Sequence, residues 1–518
     1  MSQVTNTTVE FGKATRREWI GLAVIALPCL LYSMDLTVLY LAVPSLSADL
    51  APTGPQLLWI VDIYGFLLAG SLITMGGLGD RIGRRRLLLL GATAFGIASV
   101  IAAFSQSAAM LIATRAILGI AGATLAPSTL SLIRNMFHDA KERTFAIGIW
   151  AASYSVGAAI GPPLGGVLLE YFWWGSVFLI NVPVMLALLV LGPRLLPEFR
   201  DPNPKRLDII SAALSVAAVL AVIYGLKEIA QHGVAMPSVL AIVAGVILGA
   251  AFVRRQQRLA DPLIELRLFR TPAFTAALSI NTLSLLTAFG IFLFVAQYLQ
   301  LVLGLSPLQA GLWTIPSSLG FVIGSMSAPL VARRLGTTRA VAAGLILSAL
   351  GFAVLMRVGP TTGLPLLVTG HFILALGMAP VVTLATDIIV GAAPPERAGA
   401  ASAISETGAE LGGALGIAVL GSIGAAVYRH AMTNAIPNGI GADAAEAARG
   451  TLGGAVAVAG ALPGDTGALL LGSARDAFTQ SLQVTAAVGL VVSAGLAILA
   501  LLTLRPRPAT VERQREAA

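Results

Sequence analysis

An all-α polytopic membrane protein with fourteen transmembrane helices is the fold class the sequence predicts. Three observations predict it. Of 518 residues, 57% are hydrophobic and 11% charged, against about a quarter charged in soluble domains; the mean hydropathy is +0.86. Apolar runs long enough to cross a bilayer core, which takes about 20 residues each, recur along the chain. The basic residues collect in alternate connecting segments, the pattern that marks cytoplasmic loops. These figures exclude a cytosolic globular enzyme and a disordered chain. The 55 glycines and the many alanines favour helices, which small residues let approach closely, over a barrel of short alternating strands.

The elements follow in order. Residues 1–18 are polar for too long to be a secretory signal and form a cytoplasmic tail. The run at 19–43 exceeds a signal's apolar region and is a retained span. Runs near 57–78, 87–105, 108–133, 144–169 and 176–196 complete a six-helix half over 19–196. Runs near 207–226 and 236–253 form an inserted helix pair, with linkers, over 197–270. Runs near 274–301, 308–330, 339–356, 364–391, 400–427 and 482–504 give a second half over 271–504, ahead of a cytoplasmic tail at 505–518. An outer loop at 428–481 reads as a helical hairpin (roughly 442–460 and 465–480) or as a flexible insertion. Pro463, Gly464 and Asp465 argue against a fifteenth span there.

Charge placement tests the count. With both termini inside, 27 of the 33 basic residues fall in cytoplasmic segments. Lys227, Arg357, Arg429, Arg449 and Arg475 fall outside, and Arg115 alone lies deep in a span. One helix more or fewer would flip every later loop and destroy this bias. The net charge of +8 is explained by these loops and does not call for a nucleic-acid partner. The single cysteine, Cys29, excludes an internal disulfide or a multi-cysteine metal site. No phosphate-binding G-x-x-x-x-G-K-[ST] loop and no H-E-x-x-H pair occurs, so ATP-driven transport through a fused domain and metalloprotease chemistry are not expected.

The segment GGLGDRIGRRRLLLLG after the second span and APLVARRLGTTRAVAAG after the tenth share basic residues around a glycine. This faint repeat fits two related halves separated by the inserted pair, with a substrate site between them.

Several motifs fall in order. Gly76-x-x-x-Asp80-Arg81-x-Gly83-Arg84-Arg85 follows the second span, Arg115-x-x-x-Gly119-x-x-Gly122 lies in the fourth, and Gly157-x-x-x-Gly161-Pro162-x-x-Gly165-Gly166 in the fifth. Met34-Asp35-Leu36-Thr37-Val38, then Ala42-Val43-Pro44, lie in the first. Together they resemble the signature, coupling and antiporter motifs of the major facilitator superfamily, in its fourteen-span drug:proton antiporter branch. Leu58-Trp59-Ile60-Val61-Asp62-Ile63-Tyr64 and Ala401-Ser402-Ala403-Ile404-Ser405-Glu406-Thr407 are similar to exporters of quaternary ammonium compounds of the QacA type. The resemblance implies a major facilitator fold and multidrug efflux of lipophilic cations (quaternary ammonium compounds, cationic dyes, antiseptics) in exchange for protons. It also implies alternating access in the inner, or plasma, membrane, action as a monomer, and no cofactor beyond the proton gradient. Rival readings are export of another amphiphile (a fluoroquinolone-like drug, a lipid, a siderophore) or a non-transporting receptor or scaffold.

The residues carry a physical reading of their own. Intramembrane acids are costly and mark transport or proton pathways. Asp35, Asp62, Asp387, Glu406 and Glu410 fall in apolar runs. Desolvation favours a neutral carboxyl, so a proton or a cationic substrate can satisfy such an acid, in competition. Asp35 lies about 24 Å along its helix at 1.5 Å per residue, in the outer half, with Asp62 at similar depth. Their alternative roles are a packing hydrogen bond for Asp35 and a rim position for Asp62. Glu406 and Glu410, four residues apart, share one helix face and a coupled titration. Asp387 reads more readily as a partner for Arg397 than as a transport residue. Arg115 serves proton coupling or a structural ion pair. Gly157, Gly161, Gly165 and Gly166, with a kink at Pro162, suit a gating helix or close packing. The loop from Gly76 to Arg85 suits a cytoplasmic latch and anionic lipid headgroups. Tyr32, Trp59, Tyr64, Trp150, Tyr154 and Phe292 are candidates for a cation-holding pocket wall, with core packing as the alternative for each.

Overall fold

The computed structural model describes residues 13–200, 208–259, 262–359, 363–393, 398–433, 435–437, 440–462 and 464–504. Among them every regular element is helical. Fourteen helices are long and apolar enough to cross a bilayer. They are α1 (Arg16–Leu50), α2 (Gly54–Ile82), α3 (Arg84–Ala103), α4 (Ala108–Met136), α5 (Phe145–Tyr171), α6 (Ser176–Leu195), α7 (Ile209–Ile229), α8 (Met236–Arg258), α9 (Pro272–Val302), α10 (Pro307–Leu335), α11 (Thr337–Leu355), α12 (Gly363–Gly391) and α13 (Ala401–Thr433). Two short helices follow, α14 (Ala442–Gly450) and α15 (Leu452–Ala461), before the last membrane helix, α16 (Gly464–Thr503). The chain is a multi-pass membrane protein.

Local signals set the helix ends. Thr15 caps α1 in a reciprocal box with Glu18, and Thr53 does the same for α2 with Gln56, each pair satisfying free amides of the first turn. Ser306 and Gln309 repeat the device at α10, followed by Pro307 in the first turn. Gly83 links α2 to α3 at φ +111°, a conformation that favours glycine.

Short connections make sequential helices antiparallel, and the same pairings occur twice. In the first half α1 packs on α5, α2 on α4, and α3 on both α4 and α6. In the second half α9 packs on α13, α10 on α12, and α11 on both α12 and α16. The pair α7–α8 packs chiefly on itself and leans through α7 on α2 and α13, one helix from each half.

The halves meet at the end away from the basic loops. There Gln300 donates to the Leu41 carbonyl at 3.0 Å and Leu308 N–H to Glu170 at 3.3 Å. Gly166 abuts Pro307, and Gly311 abuts Pro162. Among its described residues, the long connection before α16 holds α14 and α15. α14 is tied to α13 by Tyr428 donating to the Ala448 carbonyl at 3.0 Å and by an Arg429–Glu446 pair at 2.8 Å. The hairpin reading is corrected in one respect: its first arm breaks at Thr451, and its second, from Gly464, is the extended start of α16.

Candidate functional site

The site starts with α1. Tyr32, Leu36 and Tyr40 are four residues apart and so share a face, which lines a cavity of about 280 Å³ between the halves. Ser33 joins them. The other walls are Val61, Asp62 and Gly65 of α2, Trp150 and Tyr154 of α5, Leu285 and Phe289 of α9, and the face of α13 that carries Glu406, Glu410, Gly413 and Ile417. All four helices of the two cross-paired seams, α1–α5 and α9–α13, therefore contribute. Glu406, on the side of the basic loops, is solvent-accessible through the cavity. Tyr40, toward the other end, is 1% exposed, and beyond it the halves close.

The acids are not equivalent. Glu406 and Glu410 both face the cavity, as their spacing on one helix face requires. Among the described residues neither is ion-paired with a lysine or arginine. Tyr32 donates a hydrogen bond to Glu410 at 2.9 Å. Asp62 also reaches the cavity wall, but Lys227 lies 2.7 Å from its Oδ2. Lys227 is thus 1% exposed at its side chain, not in an outer segment, and Arg115 is not alone among basic residues inside a span. Asp35 is buried and turned away from the cavity. Arg115 donates to it at 2.6 Å and to the Ile60 carbonyl at 3.2 Å. Asn181, on α6, donates to the other Asp35 oxygen at 3.4 Å. Asp387 is exposed near the basic-loop end of α12 and takes no part in the wall. Its expected partner, Arg397, lies outside the described residues.

The aromatic residues divide in the same way. Tyr32, Trp150 and Tyr154 line the cavity, and Tyr154 meets Tyr32 and Trp150 edge to face at centroid distances of 5.4 and 5.0 Å. Trp150 donates to Thr129 at 3.0 Å, which fixes its ring. Tyr64 instead lies 4.6 Å under the Arg115 guanidinium, and Trp59 lies 3.6 Å from the Lys227 ammonium. Phe292 packs behind the cavity, edge to face on Tyr40 and tilted against His371. These three hold structural cations or core rings rather than forming the wall. Sequence reading missed Tyr40, Phe289, Asn181 and Lys227. The spacing of Tyr40 from Tyr32 was a usable signal; Lys227 gave none, because a lysine at the end of an apolar run ordinarily reaches water.

The motif residues are placed as follows. A β-carbon on Gly157, Gly161 or Gly165 would collide with Leu30, Thr37 or Val38 of α1, so the α1–α5 seam depends on their absence. Gly166 and Pro162 carry the same helix onto α10 of the other half. In the loop, Asp80 pairs with Arg84 at 2.5 Å, and Arg84 reaches the Pro127 carbonyl of α4 at 3.4 Å. Arg85 donates to the Leu196 carbonyl at 3.0 Å, and its backbone N–H donates to Glu198. A β-carbon on Gly83 would lie 2.6 Å from Glu198. These contacts tie the loop to α4 and to the segment that follows α6. Gly76 has only ordinary contact with Pro127, and Arg81 is exposed.

Comparisons with known proteins agree with this architecture. A family described as "Major Facilitator Superfamily" matches residues 25–417. The chain is 43% identical over 488 residues to the "Multidrug efflux pump LfrA" of Mycolicibacterium smegmatis, covering 94% of this chain and 96% of that protein. It is 38% identical over 472 residues to the "Methyl viologen resistance protein SmvA" of Salmonella typhimurium, covering 90% and 94% respectively. A solved bacterial homolog to the human lysosomal transporter Spinster, in an inward-facing and unoccupied conformation, matches with TM-score 0.66 at 17% identity, over 96% of this chain and all of that one. At that identity the likeness concerns the fold.

Proposed function

The chain belongs to the Major Facilitator Superfamily, and from that premise we propose that it is a proton-coupled exporter of lipophilic cations. One observation carries this reading: two carboxylates, Glu406 and Glu410, face a cavity between the halves without a paired cation among the described residues, beside the rings of Tyr32, Trp150 and Tyr154. Charge in such a place is costly unless a proton or a cation joins it. Either one suffices and the two exclude each other, which is the minimum for exchange. The ring faces supply cation–π attraction and apolar contact.

Transport follows from two arrangements of the halves around a fixed site. The glycine seam of α5 carries motion between α1 and α10. The Asp80–Arg84 latch steadies the first half in the arrangement closed at the end away from the basic loops. The buried Asp35–Arg115 pair, one helix face from Tyr32, ties the cavity wall to α4 and α6 and serves coupling by position. In this reading both termini and the basic loops face the cytoplasm, as the positive-inside bias favours, and the exporter works in the plasma membrane. The similarity to relatives named for multidrug efflux and for methyl viologen resistance supports drug-like cations as cargo.

The test is ethidium movement in everted vesicles with and without a pH gradient. Uptake that a protonophore abolishes is the expected result. Gradient-independent movement, or none from protein located in the membrane, overturns the proposal.

A further inference from the structure

Lys227 sits on a helix that otherwise turns much of its surface outward: Ile209, Ile210 and Tyr224 are 66%, 59% and 46% exposed, while Lys227 is 2%. Its ammonium lies 2.7 Å from Asp62 Oδ2, 3.0 Å from Oδ1, and 3.6 Å from the Trp59 ring centroid. A carboxylate together with an aromatic face is the combination that recognises an organic cation. Asp62 belongs to two places at once. It forms part of the cavity wall with Glu406 and Glu410, and Lys227 reaches it from behind, out of a small recess beside Leu58 and Gly54. Phe66, Ile223, Ala414 and Ala418 form an apolar cluster joining α2, α7 and α13, with Trp59 packed against it. The other nearby cations are committed elsewhere, Arg115 to Asp35 and Arg429 to Glu446.

We infer that Lys227 is a tethered cation that occupies Asp62 in the empty cavity and is displaced when a cationic substrate pairs with that carboxylate, so that it limits how much positive charge the cavity accepts. The inference rests on the proposed export of cations and adds the residue that sets their charge. With Lys227 in place, an entering molecule meets Glu406 and Glu410 alone; a molecule with a further positive centre must compete with the ammonium. Removing that ammonium opens a third carboxylate and favours dications over monocations. The inserted pair α7–α8 then has a role at the site itself, since Lys227 bonds to a carboxylate of the cavity wall.

The experiment measures binding of hexamethonium and hexyltrimethylammonium to the purified full-length protein in detergent, by calorimetry. These cations share a chain length, differ by one charge, and are optically silent. Lys227→Met should tighten hexamethonium by about tenfold relative to the monocation. Lys227→Arg should keep the wild-type ratio, and Lys227→Met with Asp62→Asn should abolish the gain. Equal changes for both cations, or no change from Lys227→Met, overturn the inference while leaving cation export standing. If no form of the protein binds either cation, cation export fails and the inference fails with it. If Lys227→Met does not fold, the wild-type protein decides: saturating hexamethonium should alter the tryptophan emission that a Trp59→Phe variant lacks, and unaltered emission overturns the inference.

Discussion

Arg115 and Asp35 face each other across 2.6 Å, each with 1% of its side chain exposed. The acid in the first-helix motif is thus neutralised by the arginine in the fourth-helix motif, and two motifs that read separately along the chain are one structural unit. The carboxylates left open to the cavity are Glu406 and Glu410.

That pairing predicts a stability effect and a transport effect that separate. Asp35→Asn leaves a buried guanidinium without its carboxylate, which costs about 3–5 kcal/mol. The melting temperature in detergent should fall and gradient-driven efflux should stop. Adding Arg115→Gln should recover most of the melting temperature without restoring efflux. A double variant no more stable than Asp35→Asn would show that the two residues do not act as a pair.

At the cavity, Glu406→Gln and Glu410→Gln each keep the side-chain shape and remove the charge. Ethidium efflux should fall at least tenfold in either, with little loss of thermal stability, because no ion pair is broken. Tyr32→Phe removes one hydrogen bond to Glu410, worth about 0.5–1.5 kcal/mol, and should change the ethidium KM a few-fold. Wild-type efflux from both glutamine variants would remove this pair from the mechanism.

The α1–α5 seam should be intolerant at defined positions. Gly157→Ala places a β-carbon against the Leu30 carbonyl, and such overpacking costs about 1–3 kcal/mol. Gly148, on the same helix, has open space where its β-carbon would go. Gly148→Ala should be neutral or gain about 0.5–1 kcal/mol. Parallel thermal melts check the contrast, and equal melting temperatures would contradict close packing at Gly157.

The latch makes a kinetic prediction. Asp80 is 32% exposed at its side chain, so its pair with Arg84 is partly screened and worth about 1 kcal/mol or less. Asp80→Asn should leave the melting temperature nearly unchanged and slow turnover in everted vesicles. Unchanged turnover would make the pair a passive feature of the loop.

Asp208 caps α7 through Ser211 and pairs with Arg255 of α8 at 2.9 Å. Burial opposes its charge, but the hydrogen bonds from Arg255 and Ser211 outweigh burial and hold its carboxyl below the usual range. A depressed native value means that the group's contribution is complete above the unfolded value, about 3.9, and is lost as pH falls through the native one. Melts of the wild type should therefore lose an increment below about pH 4 that Asp208→Asn never has. Parallel curves for both proteins down to pH 3 would contradict that assignment.

The number of membrane helices and the approximate limits of all but the last, whose start was read as part of the outer loop, were legible from the sequence alone, because hydropathy over about 20 residues is a local property and a bilayer reads it locally. The motif glycines were legible for the same kind of reason: their spacing describes one helix face. Glu406 and Glu410 share a helix, so their common facing was legible too. The fate of the other acids was not. Asp35 and Arg115 are 80 positions apart, and Asp62 and Lys227 are 165 apart. Whether a carboxylate in a span is open or already neutralised depends on which distant cation the packing brings to it, and a single helix carries no record of that neighbour. The sequence by itself determined how many helices cross and where their charges stand along the chain. Only the tertiary structure decided which charges cancel, because Coulomb attraction and desolvation depend on separation in space and not along the backbone.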